Sequence, residues 1–329
     1  MKAILFSVLT CLSFSSTALA TDFENYNPDK TGQTNCSALL TKALADTRDG
    51  CLDIAAGKYL LESPVTLKGI TIQALHGRAT FTGPNKDTDL FLVPRVFNIK
   101  LVNLGFTNAK RAISSAPSPD GKEGYFAGAQ VIGCSFFDLI AGVDCTCIQI
   151  VWFRNCAFSR LDYGVRGVRG YGGRSNGVYL EDCTFDFCNQ WAVFVEGSPT
   201  VVRSCMFHGS KGGAVFLCDA YVATIENCYM EGMGMMQDTE NPDGHETVHI
   251  GKRAFGATGI VTIRENQFNS CGGPVRIVVE DGCGLAAEHN FFLLNTKTSQ
   301  VAIKSLGSKA RVFERENYLE NLSGIIIER

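Results

Sequence analysis

Val-Ile-Gly-Cys134-Ser-Phe136 opens a series of related phrases that decides the fold of this 329-residue chain. Four more follow as Phe-Arg-Asn-Cys156-Ala-Phe158, Leu-Glu-Asp-Cys183-Thr-Phe185, Val-Arg-Ser-Cys205-Met-Phe207 and Ile-Glu-Asn-Cys228-Tyr-Met230. Their last residues lie 22, 27, 22 and 23 positions apart. Asn takes the Cys position in three further copies, Asn266-Gln-Phe268, Asn290-Phe-Phe292 and Asn317-Tyr-Leu319. A repeat of about 20 to 30 residues indicates a solenoid.

A second apolar segment follows each phrase, as in Gly142-Val-Asp-Cys145 and Ala214-Val-Phe-Leu217. Both segments alternate apolar residues with others, which is the period of a β-strand, and no helical pattern lies between them. The sequence therefore predicts an all-β fold, a right-handed parallel β-helix of short strands.

Coils of such a helix stack at about 4.8 Å, so equivalent residues form rows along its axis. We predict two inward apolar rows and a third row that changes from Cys to Asn at residue 266, where Asn can bond to neighbouring backbone. The valine row is Val143, Val165, Val193, Val215, Val248, Val275 and Val301. The aromatic row is Phe136, Phe158, Phe185, Phe207, Met230, Phe268 and Phe292.

The two ends of the chain differ from the repeats. Residues 1–20 have the basic start, apolar run and Ala-Leu-Ala end of a signal peptide, which predicts a secreted or periplasmic protein. Residues 21–58 are expected to cap the coils of residues 59–329, with a helix that starts after Asn35 and buries Leu40 and Leu44. No such lid follows Gly324-Ile-Ile-Ile, so self-association through the last coil is a prediction.

Composition narrows the partners and the chemistry. A net charge of −3 and a pI near 6.0 argue against nucleic acid as a partner, and no later run of 18 apolar residues predicts a membrane span. The leader contains one of 14 cysteines. The spacing of the remaining thiols does not suit zinc, so most are expected to pack as free thiols. Cys36 and Cys51, on either side of the predicted helix, are the best candidates for a disulfide.

Residues 22–83 resemble the opening of the pectate-lyase superfamily of β-helix proteins, which includes phage tail-spike depolymerases. The strand Ala55-Ala-Gly-Lys-Tyr59 and the preceding Asp29-Lys-Thr-Gly carry the likeness, and the coils extend it towards the C-terminus. The resemblance implies a polysaccharide-binding cleft over the valine strand. The chain has neither the Arg-x-Pro-x-x-Arg motif of pectate lyases nor the Asn-Thr-Asp and Gly-His-Gly motifs of polygalacturonases, so neither activity is carried over.

Three segments are longer than a minimal coil requires, 107–127, 167–176 and 231–246, and loops on a rigid scaffold often carry function. We therefore examine the outward residue after each valine. That predicted row is Asp144, Arg166, Phe194, Phe216, His249, Arg276 and Ala302. Phe194 and Phe216 are candidates for an apolar platform that binds a sugar ring. Asp144 and Arg166 are candidate substrate-binding residues, with a structural ion pair as the alternative.

His249 is the leading catalytic candidate, because an imidazole can exchange a proton near neutral pH. His245 and Glu246 precede it, and Arg276 is expected one coil away, where its guanidinium would hold a substrate carboxylate. Lys252 or Tyr229 would act as the acid that protonates the leaving oxygen. These roles suit β-elimination from a uronate polymer, and surface solvation of these side chains is the alternative.

A second hypothesis relies on paired carboxylates. Glu196 and Asp219 are expected at the ends of adjacent outward strands, near Glu246, as in a glycoside hydrolase. Asp238, Glu240 and Asp243 could bind Ca²⁺, but their spacing is not that of a twelve-residue calcium loop. No cofactor is therefore predicted. The sequence favours a polysaccharide lyase, with a glycoside hydrolase or a non-catalytic glycan-binding protein as alternatives.

Overall fold

A computed structural model describes residues 20–48, 50–95, 97–116, 124–169, 175–197, 199–234, 246–252, 259–271, 275–293 and 301–320. The predicted leader therefore lies outside the described residues, apart from Ala20. A 3₁₀ turn spans Phe23–Tyr26, and the helix α1 spans Ser37–Asp46.

The strands are short and follow one another around successive coils. The first nine are β1 Thr21–Asp22, β2 Thr31–Asn35, β3 Cys51–Leu60, β4 Val65–Thr66, β5 Thr71–Thr82, β6 Asp89–Val93, β7 Lys100–Val102, β8 Leu104–Ser115 and β9 Phe126–Ile132. The next eleven are β10 Ser135–Thr146, β11 Ile148–Arg154, β12 Ala157–Val168, β13 Asn176–Glu181, β14 Thr184–Asp186, β15 Val193–Glu196, β16 Thr200–Arg203, β17 Met206–His208, β18 Val215–Cys218, β19 Val222–Glu226 and β20 Tyr229–Glu231. The last nine are β21 Val248–Gly251, β22 Ile260–Arg264, β23 Gln267–Asn269, β24 Val275–Glu280, β25 Gly284–Glu288, β26 Phe291–Leu293, β27 Val301–Leu306, β28 Arg311–Arg315 and β29 Tyr318–Glu320.

The strands form three parallel sheets that wrap around one core, so the predicted parallel β-helix is confirmed. The first sheet carries the aromatic row through β10, β12, β14, β17, β20, β23, β26 and β29. The second sheet carries the valine row through β10, β12, β15, β18, β21, β24 and β27. The third sheet runs from β7 through β9, β11, β13, β16, β19, β22 and β25 to β28.

The aromatic row fills the core as predicted. Phe136 and Phe158 stack with ring centroids 4.5 Å apart, and Phe158 and Phe185 follow at 4.7 Å. All three rings are buried and their planes are nearly parallel. The coil spacing brings equivalent rings to the stacking distance, so the same geometry that pairs the strands also packs the core.

The row of Cys and Asn residues lies at the corner between the third and first sheets. Asn290 donates from Nδ2 to the carbonyl oxygen of Ile263 at 2.8 Å and to Oδ1 of Asn317 at 2.9 Å, while its own Oδ1 accepts from the backbone of Asn266. In the earlier coils the thiols point at backbone carbonyls, as Cys156 does at Val131 O. Asn therefore satisfies the polar backbone of a buried bend, as predicted, and Cys contributes contacts of the same kind that were not predicted.

The predicted short helix near the N-terminus is present. Leu40, Ala43 and Leu44 of α1 pack into the end of the core. However, β3 already pairs with β5 from Cys51 onwards, so the coils begin before residue 59. The disulfide prediction is wrong, because Cys36 and Cys51 are both free thiols. Cys36 Sγ instead lies 3.5 Å from the carbonyl oxygen of Asp29.

Candidate functional site

The outward row of the second sheet follows the predicted order over five coils. Asp144 pairs with Arg166, Arg166 with Phe194, Phe194 with Phe216, and Phe216 with His249. Because strand residues alternate between faces, these side chains share the outer surface above the valine row. These five predicted candidates are therefore brought together on one face.

The predicted register is wrong one coil later. Val248 pairs with Ile277, and His249 pairs with Val278, so the sequence alignment was displaced by two residues. Ile277 and Ile303 thus continue the valine row, while Val275 pairs with Val301 beside it. Lys304 follows Val278 in the outward row. Ala302, predicted to face outwards, is buried.

Arg276 does not take the position that the sequence indicated. It does not lie across from His249 in the sheet, and only 1% of its surface is exposed. Burial lowers the pKa of its guanidinium, because a charged group loses its hydration there. The prediction that Arg276 presents a guanidinium to substrate from the surface of the cleft is therefore wrong.

His249 is held between two carboxylates. Its Nδ1 atom bonds to Oε1 of Glu246, which lies three residues earlier. Its Nε2 atom lies 2.8 Å from Oε1 of Glu280, which comes from the next coil of the sheet. The second oxygen of Glu280 accepts the backbone N–H of Lys252 at 2.8 Å. Both ring nitrogens are therefore engaged, and the imidazole has a defined orientation.

The same contacts decide the charge of His249. Burial of the ring favours the neutral form, but the hydrogen bonds and negative charges of Glu246 and Glu280 outweigh burial. The result is a pKa raised to about 9. At neutral pH the group is thus an imidazolium flanked by two carboxylates, and it becomes a base only in alkaline solution.

Aromatic rings support His249 from one side. Phe216 stacks on the imidazole with a centroid distance of 4.4 Å and an interplanar angle of 4°. Phe194 stacks on Phe216 at 4.9 Å, and Trp191 meets Phe216 edge-on at 5.1 Å. The stack continues the coil repeat and fixes the plane of the histidine ring.

This stacking corrects the predicted sugar platform. Phe194 and Phe216 face outwards from the sheet, but each ring lies face to face with its neighbour along the coil axis. Phe194 is buried, with 7% of its surface exposed. The rings therefore present their edges, and not an open aromatic face, to the outside. A contact between those edges and substrate remains a prediction.

A ladder of charges continues the same face towards the N-terminus. Arg166 Nη1 lies 2.9 Å from Asp144 Oδ1, which confirms the predicted ion pair. Arg111 reaches Asp144 Oδ2 at 3.4 Å and holds Asp89 through two hydrogen bonds of 2.6 and 2.8 Å. Arg111, Asp144 and Arg166 line a cleft of about 280 Å³ together with Ser115, Ala116, Thr146 and Val168. The arginines offer an anion-binding surface beside the aromatic stack.

Other predicted residues lie elsewhere. Glu196 and Asp219 are both buried, and Glu196 accepts the backbone N–H of Arg169 at 2.8 Å, so they are not exposed carboxylates on the face. Tyr229 belongs to the first sheet, where its hydroxyl accepts a hydrogen bond from Asn269, and it cannot serve the His249 site. The side chain of Lys252 is exposed beside that site.

His245 lies outside the described residues, as do the weak calcium candidates Asp238, Glu240 and Asp243. Within the described ranges, no group of three or more His, Cys, Asp or Glu side chains is arranged to hold a metal ion.

Three residues of the site were missed by sequence reasoning. Glu280 was missed because the register error placed it two residues too far along its strand. Trp191 precedes the strand β15 and contacts Phe216 on β18 of the next coil, so alternation within a strand gave no signal for it. Arg111 lies before the repeated phrases, where the coils were not aligned. The pairing of Arg111 with Ala141, two residues before Val143, would have revealed it.

Gly213 sets the position of Trp191. A Cβ atom at residue 213 would lie 1.9 Å from a ring carbon of Trp191, which no packing tolerates. We expect Gly213→Ala to displace the indole, to shift its fluorescence to longer wavelength, and to lower stability by about 1–3 kcal/mol. The measurement uses a Trp152→Phe background, since the chain has only two tryptophans. An unchanged emission spectrum would contradict this packing.

A comparison with known protein families agrees with this architecture. The sequence profile described as the right-handed beta helix region matches residues 123–325. The chain belongs to the right-handed β-helix family. Within the part of this β-helix protein that the structure describes, no helix is long and apolar enough to cross a membrane. A search of curated proteins finds no match.

Solved structures show the same fold at low sequence identity. The mannuronan C-5 epimerase AlgE4 A-module of Azotobacter vinelandii is 14% identical, with a TM-score of 0.58, and the match covers 94% of this chain and 97% of that one. An alginate lyase from Paenibacillus sp. str. FPU-7 is 13% identical, with a TM-score of 0.53, and the match covers 89% of this chain and 96% of the lyase. The tailspike protein of Acinetobacter baumannii phage AM24 is 16% identical, with a TM-score of 0.50, over 89% of this chain and 54% of that one.

Proposed function

We propose that this β-helix protein cleaves an acidic polysaccharide by β-elimination on the outer face of its second sheet. The observation that carries the proposal is the imidazole of His249, held by Glu246 and Glu280 at the end of a row that also contains Arg166. A positioned histidine with a raised pKa is a group suited to proton transfer. The predicted leader supports an exported location for such an enzyme.

The structural relatives support an anionic substrate. The two with the higher TM-scores above are named for mannuronan and alginate, which are acidic glycans. In this chain, the cleft between Asp144 and Val168 displays the guanidinium of Arg166, which is about one-third exposed. Arg166 uses one of its donors on Asp144, and its planar group also lies 5.4 Å from the ring centroid of Tyr163. A uronate carboxylate fits this kind of surface.

The proposed mechanism begins with neutral His249. Nε2 takes the proton from the carbon next to the substrate carboxylate, a carbon–carbon double bond forms, and the bond to the glycosidic oxygen breaks. The imidazolium then returns that proton to the departing oxygen, so the proton balance closes on one residue. Glu246 fixes the ring through Nδ1 and stabilises the imidazolium.

Two further residues complete the proposal. Glu280 must release Nε2 when substrate binds, and it is the more exposed of the two carboxylates, at 34% against 17% for Glu246. Lys252 replaces Arg276 as the cation that neutralises the substrate carboxylate, because its exposed side chain follows the strand that carries His249. Neutralising that carboxylate makes the neighbouring proton easier to remove.

The test is ultraviolet absorbance while the purified protein acts on a panel of uronate polymers. We expect absorbance to rise as the unsaturated product forms. Because the base must be neutral and its pKa is about 9 before substrate displaces Glu280, kcat/KM should increase from pH 7 and level off above about pH 9. No ultraviolet signal with any uronate polymer at pH 9 would remove the lyase proposal.

One observation favours glycoside hydrolysis as the second candidate. Glu246 and Glu280 bind opposite nitrogens of the same ring, which separates the two carboxylates by roughly 7 Å, the range of inverting enzymes. In that case new reducing ends should appear without ultraviolet absorbance, and Glu280→Gln should abolish them. Silence in both assays would favour a glycan-binding protein without catalysis.

A further inference from the structure

The outer face of the third sheet has an organisation that the proposed function does not use. Six successive coils present three outward residues each, in rows that run along the coil axis. The first row is Ile150, Gly177, Pro199, Val222, Ile260 and Gly284. The second row is Trp152, Tyr179, Val201, Thr224, Thr262 and Ala286. The third row is Arg154, Glu181, Arg203, Glu226, Arg264 and Glu288.

The third row alternates strictly in charge. Arg154 Nε lies 2.7 Å from Glu181 Oε2, and Arg264 Nε lies 2.7 Å from Glu226 Oε2. Glu226 also bonds to Arg203 and is almost fully buried between its two partners. Over these six coils the row is a neutral ladder whose charges change sign at every coil, about 4.8 Å apart, and Arg315 continues the alternation on β28.

The first row contains three exposed aliphatic side chains, and the second row begins with two partly exposed aromatic rings. Val222 exposes 61% of its surface, Ile150 50% and Ile260 42%, and the rings of Trp152 and Tyr179 stack beside them at 5.0 Å. Exposed aliphatic side chains beside a stacked Trp–Tyr pair and a row of charges have the character of an interaction surface. It lies on a different sheet from the His249 site.

We propose that this face binds a second copy of the chain, with the coil axes antiparallel and a two-fold axis passing between the coils of Arg203 and Glu226. A two-fold axis along the strand direction places each row against the same row of the partner. A two-fold axis along the coil direction would instead place the apolar first row against the partner's charges. Only the first arrangement buries apolar residues against apolar residues.

The antiparallel arrangement matches both charge and size. Arg154 meets the partner's Glu288 and Glu181 meets the partner's Arg264, whereas Glu226 stays buried between its own two arginines. Large residues also meet small ones, since Ile150 faces the partner's Gly284 and Trp152 faces the partner's Ala286. The two-fold axis reverses the order of the ladder, and the reversed order places an opposite charge at every position. This match sets the register of the dimer.

The size of the face indicates how strong this association should be. Six coils of five residues present roughly 500 Å² per copy at the spacings of a β-sheet. Stable dimers cover about 800 Å² per partner, so this dimer belongs to the weaker class. We expect it to form at high protein concentration and to dissociate on dilution and in high salt.

Sedimentation equilibrium of the full chain tests the surface. The weight-average mass should rise from one chain towards two between about 1 and 500 μM protein, the range of weak interfaces. Val222→Lys and Ile260→Lys should hold the mass at one chain, and both sites are exposed enough to tolerate lysine. Met206→Lys is the matched control, because Met206 is 45% exposed on the first sheet. A wild-type mass of one chain throughout would overturn the proposal.

Charge reversal tests the register. Glu181→Arg and Arg264→Glu should each weaken the dimer, because each places like charges against the partner. The double variant restores opposite charges across the interface and should recover dimerisation relative to either single variant. Dimerisation that survives Val222→Lys, or a double variant no better than the single ones, would overturn this interface and favour association through the last coil.

Discussion

Replacement of His249 by alanine is expected to lower the turnover of an acidic glycan by about 100- to 10,000-fold, the range supplied by a positioned proton-transfer group. The reason is the geometry of the imidazole, which two carboxylates and the ring of Phe216 hold in one plane. The measurement is the initial rate of product formation at pH 9, together with substrate binding, which should change little. His208→Ala is the matched control, since His208 is a half-exposed histidine on the first sheet.

A second variant separates a chemical role from a structural one. Glu246→Gln keeps the shape of the side chain but removes a negative charge from His249, so the pKa of the imidazole should fall. The alkaline rise of the rate should then move to lower pH. Full activity in His249→Ala, or an unmoved pH profile in Glu246→Gln, would show that His249 does not transfer the proton.

Truncation of Phe158 to alanine should produce the largest loss of stability among single substitutions in the core, about 3–5 kcal/mol. Phe158 is fully buried and stacks on both neighbours, with Phe136 at 4.5 Å and Phe185 at 4.7 Å. Its removal leaves a cavity between two coils that parallel strands hold at a fixed spacing, so the walls cannot collapse. The measurement is urea unfolding followed by circular dichroism.

Phe137→Ala is the control for that prediction. Phe137 directly follows Phe136 on the first sheet. It faces solvent with 43% of its surface exposed and lies under the guanidinium of Arg160. Its loss should cost at most about 1 kcal/mol, as for exposed positions. Equal destabilisation by the two variants would show that the aromatic row does not dominate the core.

The fold was predictable because its defining residues repeat at a fixed place in every phrase. Each Phe follows its Cys or Asn by two positions, so the aromatic row and the Cys and Asn row emerged from the sequence directly. The buried corner also requires a left-handed residue before each Cys or Asn, such as Asn155, Asp182 and Asn227. Asn and Asp tolerate that conformation well, so the repeated corner was visible in the same phrase.

The site was predictable only up to Phe216 and His249. Beyond them, Val275 and Ile277 both face inwards, and a displacement of two residues leaves every side chain on its own face. Alternation therefore cannot distinguish the two alignments. The error removed Glu280 from the site and brought in Arg276, which is buried. The orientation of aromatic rings was also beyond the sequence, because alternation gives the face of a side chain and not the plane of its ring.

The alternating ladder on the third sheet has a consequence for how such a protein can change in length. Loss or duplication of one coil between Arg154 and Glu288 would bring two arginines or two glutamates onto neighbouring strands, where like charges destabilise the pairing. Loss or duplication of two coils preserves the order of signs. The smallest segment that can be lost or duplicated without disturbing this surface is therefore a pair of coils. For the backbone and the aromatic core it is a single coil.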